Sequence, residues 1–278
     1  MNEHTLEKGA TEVAFFRYAL GVEYSGANYN GWQIQAEEGV VTVQQRLQEA
    51  LSRIADHDVH LVCAGRTDTG VNGCYQVVHF DTPNPRIERA YVNGTNTHLP
   101  NDIAVLWAKQ VPDTFSARFS ALGRRYRYLI YSAPVKPAIL SQGVTWTHKP
   151  LSVSRMRDAA ACLVGEHDFS AYRAVACQAH SPVRTIRSLD VYQRGQIIVI
   201  DVQANAFLHH MVRNIAGVLM KIGAGEADVS WSQEVLSSKD RRKGGVTAPP
   251  WGLYFCDVEY PSEYDLPLGG SGPFFLGL

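Results

Sequence analysis

The sequence predicts an α+β fold of two lobes, each a mainly antiparallel sheet with helices packed on one face. Three observations lead there. Strands and helices follow in mixed order in both halves, the strands lie at hairpin-like spacing without steady βαβ alternation, and 278 residues suffice for one large domain or two lobes with a full core. Similarity between the halves is too faint to define an internal repeat.

Residues 1–11 are polar and read as a loose N-terminal tail. A strand around Tyr18 to Tyr24 runs into Gly26-Ala27-Asn28-Tyr29-Asn30-Gly31-Trp32, a turn-rich segment carrying aromatics. Thr42 opens a helix, because Thr42 and Gln45 fit a capping box and Val43, Leu47, Leu51 and Ile54 recur at helical spacing. The alternating run Val59, Leu61, Cys63 reads as a strand, and another covers Gln76 to Phe80. A short helix near Ile87 to Asn96 and a strand Ile103 to Lys109 complete a first lobe, 12–112, which carries the loop between those two strands.

The second lobe, 113–262, begins with a loop and a strand from Phe115 to Tyr131, in which Tyr126, Tyr128 and Ile130 alternate with Arg125, Arg127 and Leu129. Pro134 to Pro150 reads as a long connection, Ser154 to Val164 as a helix ending at Gly165, and Ile197 to Val202 as a β-branched strand. The longest helix runs from about Ala206 to Ile222, with Leu208, Met211, Ile215, Val218 and Ile222 as its buried stripe and His209 and Gly217 sharing a face with Arg213. Arg213 stands about 200° from Met211 and therefore off the stripe. A strand Leu253 to Glu259 precedes a Gly/Pro-rich tail, 263–278.

Lys and Arg total 26 against 27 Asp and Glu, so no global positive charge advertises nucleic acid. The basic residues are patchy instead: Arg118, Arg124, Arg125 and Arg127 cluster with Tyr126 and Tyr128, and Lys239, Arg241, Arg242 and Lys243 form a second group. Either patch alone is weak evidence of phosphate contact, because a charge run is commonly a solvated face. Five cysteines in no metal-ligand spacing do not suggest a disulfide framework, and no apolar signal-peptide core or run of 18 apolar residues occurs. These features imply a soluble protein of a reducing compartment, most simply the cytoplasm, with no membrane partner. No P-loop, GxGxxG or metal-spaced His/Cys cluster is present, so the sequence offers no cofactor and no metal site.

The chemistry concentrates in Cys63-Ala64-Gly65-Arg66-Thr67-Asp68-Thr69-Gly70-Val71. Its glycines let the backbone turn sharply and a ligand approach closely, and the loop holds one carboxylate, Asp68, with Arg66 two residues away. An Asp in such a turn commonly caps its own backbone. Asp68-Thr69-Gly70 also spells the aspartic-protease triplet, but that chemistry needs two carboxylates sharing a proton, and no second Asp-Thr-Gly or Asp-Ser-Gly exists here. Cys63 is a rival nucleophile in principle, although its alternation with Val59 and Leu61 suggests a buried, inert thiol.

Four segments in order carry a resemblance: Gly21-Val22-Glu23-Tyr24 to Gly31-Trp32-Gln33, Ala64-Gly65-Arg66-Thr67-Asp68, Arg125-Tyr126-Arg127-Tyr128, and Phe207-Leu208-His209-His210-Met211-Val212-Arg213-Asn214-Ile215. Together they resemble the tRNA pseudouridine synthase A family, over about residues 13–278. The resemblance implies an isomerase acting on uridines 38, 39 and 40 of the tRNA anticodon stem–loop. It further implies a homodimer whose two lobes per subunit hold tRNA in a basic active-site cleft between them. It makes Asp68 the catalytic aspartate, Tyr126 the active-site tyrosine, Arg213 the basic partner of Asp68, and Arg66 a residue holding the flipped nucleotide's place. One departure is visible, for the family usually has Val-His where this chain has Val71-Asn72.

Such a reaction breaks the N1–C1′ bond, turns the uracil and rejoins it through C5, with nothing oxidised, hydrolysed or energised. An ionised carboxylate serves it by attacking C1′ or by adding to uracil C6, and the residues leave both routes open. An aromatic ring such as Tyr126 can stack on the displaced base. Unstacking the target costs a few kcal/mol, which phosphate contacts from Arg118, Arg124, Arg127 or the 239–243 patch can offset. His209 and His210 read as structural. The alternative is a non-catalytic tRNA-binding or RNA-folding module, which would have no need of Asp68, Tyr126 and Arg213 together.

Overall fold

The computed structural model describes residues 14–270 and 272–277, so the tail expected at 1–11 lies outside the described residues. The first half supplies β1 (Phe16–Tyr24), α1 (Val43–Ala55), β2 (Val62–Cys63), β3 (Asn72–Thr82), α2 (Glu88–His98) and β4 (Ile103–Val111). The second half supplies β5 (Gly123–Ser132), β6 (Thr145–Thr147), α3 (Val153–Ala160), β7 (Gly165–Asp168), β8 (Val183–Arg194), β9 (Ile197–Ala204), α4 (Met211–Gly223), α5 (Trp231–Ser238) and β10 (Leu253–Glu259). The fold is α+β as expected, but the strands of both halves join in one continuous ten-stranded sheet, in the order β4-β1-β3-β10-β5-β9-β8-β7, with β2 on β3 and β6 on β5.

The join is narrow. β10 meets β3 in parallel through Tyr254 opposite Asn72 and Phe255 opposite Gly73, whereas its pairing with β5 is antiparallel and longer. The side chain of Asn72 reinforces the junction from a nearly closed position, 4% exposed. It accepts the Gly26 amide at 2.9 Å and donates to the Trp251 carbonyl at 3.0 Å. Asn72 is therefore a structural bridge between the two halves.

Thr42 caps α1 through its hydroxyl, which accepts the Gln45 amide, while the Gln45 side chain turns to Glu49 and leaves the capping box half-formed. Val43, Leu47 and Leu51 are buried with Tyr18, Leu20 and Val22 of β1. In the second half Tyr126, Tyr128 and Ile130 pack with Met156, Met211, Ile215 and Val218 beneath α3 and α4. Near the C-terminal end, Leu276 is buried beside Leu129, Val199, Tyr254 and Cys256, and Tyr75 donates its hydroxyl to the Pro267 carbonyl. No helix among the described residues is long and apolar enough to cross a membrane.

Candidate active site

Asp68 is held by contacts that fix its loop from several sides. Gln76, wholly buried on β3, brackets Gly65 by accepting its amide at 3.3 Å and donating to its carbonyl at 2.6 Å. The Trp32 amide donates to the Thr67 carbonyl at 3.0 Å, and the Tyr24 hydroxyl bonds the Thr67 hydroxyl at 2.8 Å. Gly31 makes this possible: its φ is +85°, and a Cβ there would sit 2.7 Å from the Thr67 carbonyl oxygen. The Gly31-Trp32 segment is thus a brace for the aspartate loop.

The opposite wall comes from α4. The apolar spacing predicts a start near Ala206, but the helix starts at Met211 because His210 adopts a left-handed φ of 60°, a conformation that costs a non-glycine residue about 1–2 kcal/mol. His209 therefore lies outside the helix and shares no helical face with Arg213. Arg213, in the first turn, donates through Nε to the Ala248 carbonyl at 2.8 Å and through Nη1 to Asp68 Oδ2 at 3.2 Å. The Ala248 amide in turn donates to the Arg213 carbonyl. Gly217 lets this segment lie against the helix, since a Cβ on it would fall 2.0 Å from the Val246 carbonyl oxygen. An arginine fixed at both ends is a preorganised partner for a carboxylate.

Both histidines expected to be structural also reach the carboxylate. His209 Nε2 lies 3.3 Å from Asp68 Oδ1, and His210 Nε2 lies 3.3 Å from Oδ2. Burial holds the His210 imidazole below its ordinary pKa, with Asp68 pulling upward and Arg213 and His209 pushing the same way as burial. The Phe207-to-Ile215 motif carried these residues in plain view, but only the chain reversal at His210 aims both rings at Asp68.

These groups line a cavity of about 1350 Å³ that also includes Arg66, Arg118, Tyr126 and Phe207. That is larger than the roughly 300–1,000 Å³ of small-molecule sites and suits a nucleotide with its flanking chain. Tyr126 is only 8% exposed; its ring stacks on Phe255 at 4.9 Å and meets Phe207 nearly at right angles at 5.0 Å. Burial raises its hydroxyl pKa, with Tyr24 and Asp68 adding to the effect, so the phenol stays protonated. Little of the ring is free to stack on a base, and the aromatic wall is a three-ring cluster of Tyr126, Phe207 and Phe255. Arg66 is exposed in the cavity and has no acidic partner among the described residues, whereas the ion pair to Asp68 comes from Arg213.

The expected phosphate contacts separate. Arg118 is exposed at the cavity, with its guanidinium 5.0 Å over the Phe119 ring. Arg124 is committed to backbone: it donates to the carbonyls of Ala64, Arg118, Ala121 and Asn205. Arg127 is 4% exposed and donates to Asp201 at 2.8 Å, with Arg125 holding the same carboxylate bidentately. As successive residues of β5, Tyr126 and Arg127 point to opposite faces, and Arg127 does not line the cavity. In the second patch Lys239 pairs with Asp168, Arg242 pairs with Asp240, and Arg241 bonds Asn214 and Thr247; none of these cations lines the cavity.

The chain matches the family model described as tRNA pseudouridine synthase over residues 21–120 and 159–261. It is 56% identical over 260 residues to a tRNA pseudouridine synthase A of Pseudomonas aeruginosa, covering 94% of this chain and 91% of that one. It is 54% identical to that of Alcanivorax borkumensis, covering 94% and 97%, and 49% identical to that of Legionella pneumophila, covering 94% and 98%. Among solved structures, one of an H/ACA RNP bound to a substrate RNA containing 2'-deoxyuridine resembles it at TM-score 0.35 and 11% identity. That match covers 73% of this chain and 44% of the other, too distant a likeness to carry an argument.

Proposed function

The chain belongs to the tRNA pseudouridine synthase family, and on that premise we propose that it isomerises uridines 38, 39 and 40 of the tRNA anticodon stem–loop, with Asp68 as nucleophile. It is an isomerase of tRNA. The observation that carries the residue assignment is the fixing of Asp68 on the cavity wall by Arg213 at 3.2 Å, with the arginine itself anchored to Ala248. A carboxylate so oriented acts on a nucleotide brought out of its stack, either at C1′ or at uracil C6. After the uracil turns and rejoins through C5, the C5 proton has to leave.

Arg66, which faces the cavity and pairs with no acid among the described residues, fills the place of the extruded nucleotide, and Arg118 meets a backbone phosphate at the rim. Tyr126 offers its protonated hydroxyl edge from within the aromatic cluster. The reading extends to a homodimer in the cytoplasm, with the aspartate loop contributed by residues 12–112 and Tyr126 and Arg213 by residues 113–262. Mapping pseudouridines in tRNA from cells that lack this protein tests it. The modification is expected to vanish at 38, 39 and 40 and persist elsewhere; retention at these positions would sink the site assignment.

A further inference from the structure

We propose that Asp68, His209 and His210 form a binding site for a zinc-class divalent cation, and that occupancy withdraws Asp68 from the reaction. One ligand atom from each residue lies within 4.8 Å of the other two. The two imidazole nitrogens each stand 3.3 Å from a carboxylate oxygen. Zinc bonds to nitrogen and oxygen are about 2.0–2.2 Å, so the edge between two ligands of a tetrahedral ion is about 3.3–3.5 Å. The contact of His209 Nε2 with Oδ1 has the length of that edge, and the ligand atom of His210 lies within 4.8 Å of both of the others. Arg213 donates its hydrogen bond to Oδ2 of Asp68, which leaves Oδ1, beside His209 Nε2, as the carboxylate's ligand atom.

The donor set selects the metal. Two imidazoles with one carboxylate suit zinc and its first-row neighbours, and not magnesium or calcium, which prefer oxygen alone. Three protein ligands leave a fourth position open toward the cavity. Arg213 does not exclude the ion, since one carboxylate oxygen can bind metal while the other stays with the guanidinium, a supporting contact of the kind that tunes metal sites. The side chains are open to entry, at 42% exposure for His209, 28% for His210 and 27% for Asp68. Cys63 also lines the cavity, but burial pushes its thiol up to about 11 and leaves it a poor rival ligand.

The binding claim stands on geometry alone, whereas the inhibitory claim rests on Asp68 being the nucleophile. The test is calorimetric titration of zinc chloride into the full-length, EDTA-stripped protein, with a parallel cobalt(II) absorption spectrum. One saturable site per chain is expected, with tetrahedral cobalt bands and no thiolate charge-transfer band. His209→Ala and Asp68→Asn should each weaken binding by at least about tenfold, because loss of even an outer-shell partner costs about 10–100-fold. Cys63→Ser should leave binding unchanged. Zinc should also abolish pseudouridine formation, and EDTA should restore it. Absence of saturable binding, binding undiminished in His209→Ala, or binding lost in Cys63→Ser would overturn the site, and the cobalt spectrum of the unaltered protein decides if a variant fails to fold. Full activity with zinc bound would overturn the inhibitory claim. Full activity of Asp68→Asn would instead remove the nucleophile assignment while leaving the metal site standing.

Discussion

Asp68 takes its orientation from Arg213, and Arg213 takes its own from Ala248. Replacing the guanidinium with an amide keeps a donor near Ala248 but removes the charge and reach toward the carboxylate. Arg213→Gln is therefore expected to lower the rate of pseudouridine formation by roughly 100-fold, the scale of a misplaced reacting group, with little change in melting temperature. Single-turnover assays beside thermal unfolding check this, and an unchanged rate would show the arginine to be dispensable. Asp68, Arg66, Tyr126 and Arg213 could all be picked from the sequence, because each sits in a short motif. The fate of Arg124 and Arg127 could not. Alternation along β5 gives opposite faces to Tyr126 and Arg127, but only the pairing of β5 with β9 places Asp201 beside Arg127. Nor could the convergence of His209 and His210 on Asp68 be read, since it depends on one left-handed residue.

Among the elements, long periodic segments were legible and short or irregular ones were not. α1 and its Thr42 cap follow the expected residues closely, as do β1, β4 and β10. β8 escaped notice because a register shift between Ile186 and Ser188 interrupts its alternation, and α5 because eight residues give barely two turns of pattern. β2 shrinks to Val62–Cys63, although Val59 and Leu61 are buried as expected. One contact between elements has a pH signature. His79 on β3 accepts the Ala117 amide through Nδ1 at 3.0 Å, which requires that nitrogen to be unprotonated. Burial, aided by Arg17, pulls the His79 pKa down to about 4. The unfolded chain takes up this proton near pH 6.5 and the folded chain does not. The contribution of His79 is therefore complete above about pH 6.5 and is lost as pH falls toward 4, by up to about 1.4 kcal/mol per pH unit. Denaturant titrations between those pH values should show that slope, and His79→Gln should flatten it; an equal slope in the variant would reassign it to other groups.

For the whole molecule, the sequence conveyed the class but not the continuity of the sheet. Hairpin spacing reveals which strands are neighbours in sequence, whereas β3 and β10 are far apart in the chain and meet through only two residue pairs. That junction lets one half present Asp68 to the Arg213 and Tyr126 of the other, and Asn72 spans it with two side-chain hydrogen bonds. Asn72→Ala leaves the Gly26 amide and the Trp251 carbonyl without those partners, and should cost about 1–3 kcal/mol in chemical denaturation while lowering activity through loss of alignment. A variant of unchanged stability would show the bridge to be incidental. The central claim is that this assembled cavity isomerises tRNA uridines through the Asp68 carboxylate. Its most direct test gives unmodified tRNA to the purified protein and to Asp68→Asn, with pseudouridine mapped at each position and tRNA binding measured alongside. The account predicts product at 38, 39 and 40 with the unaltered protein, and none with the variant although it still binds tRNA; full product from Asp68→Asn would contradict it.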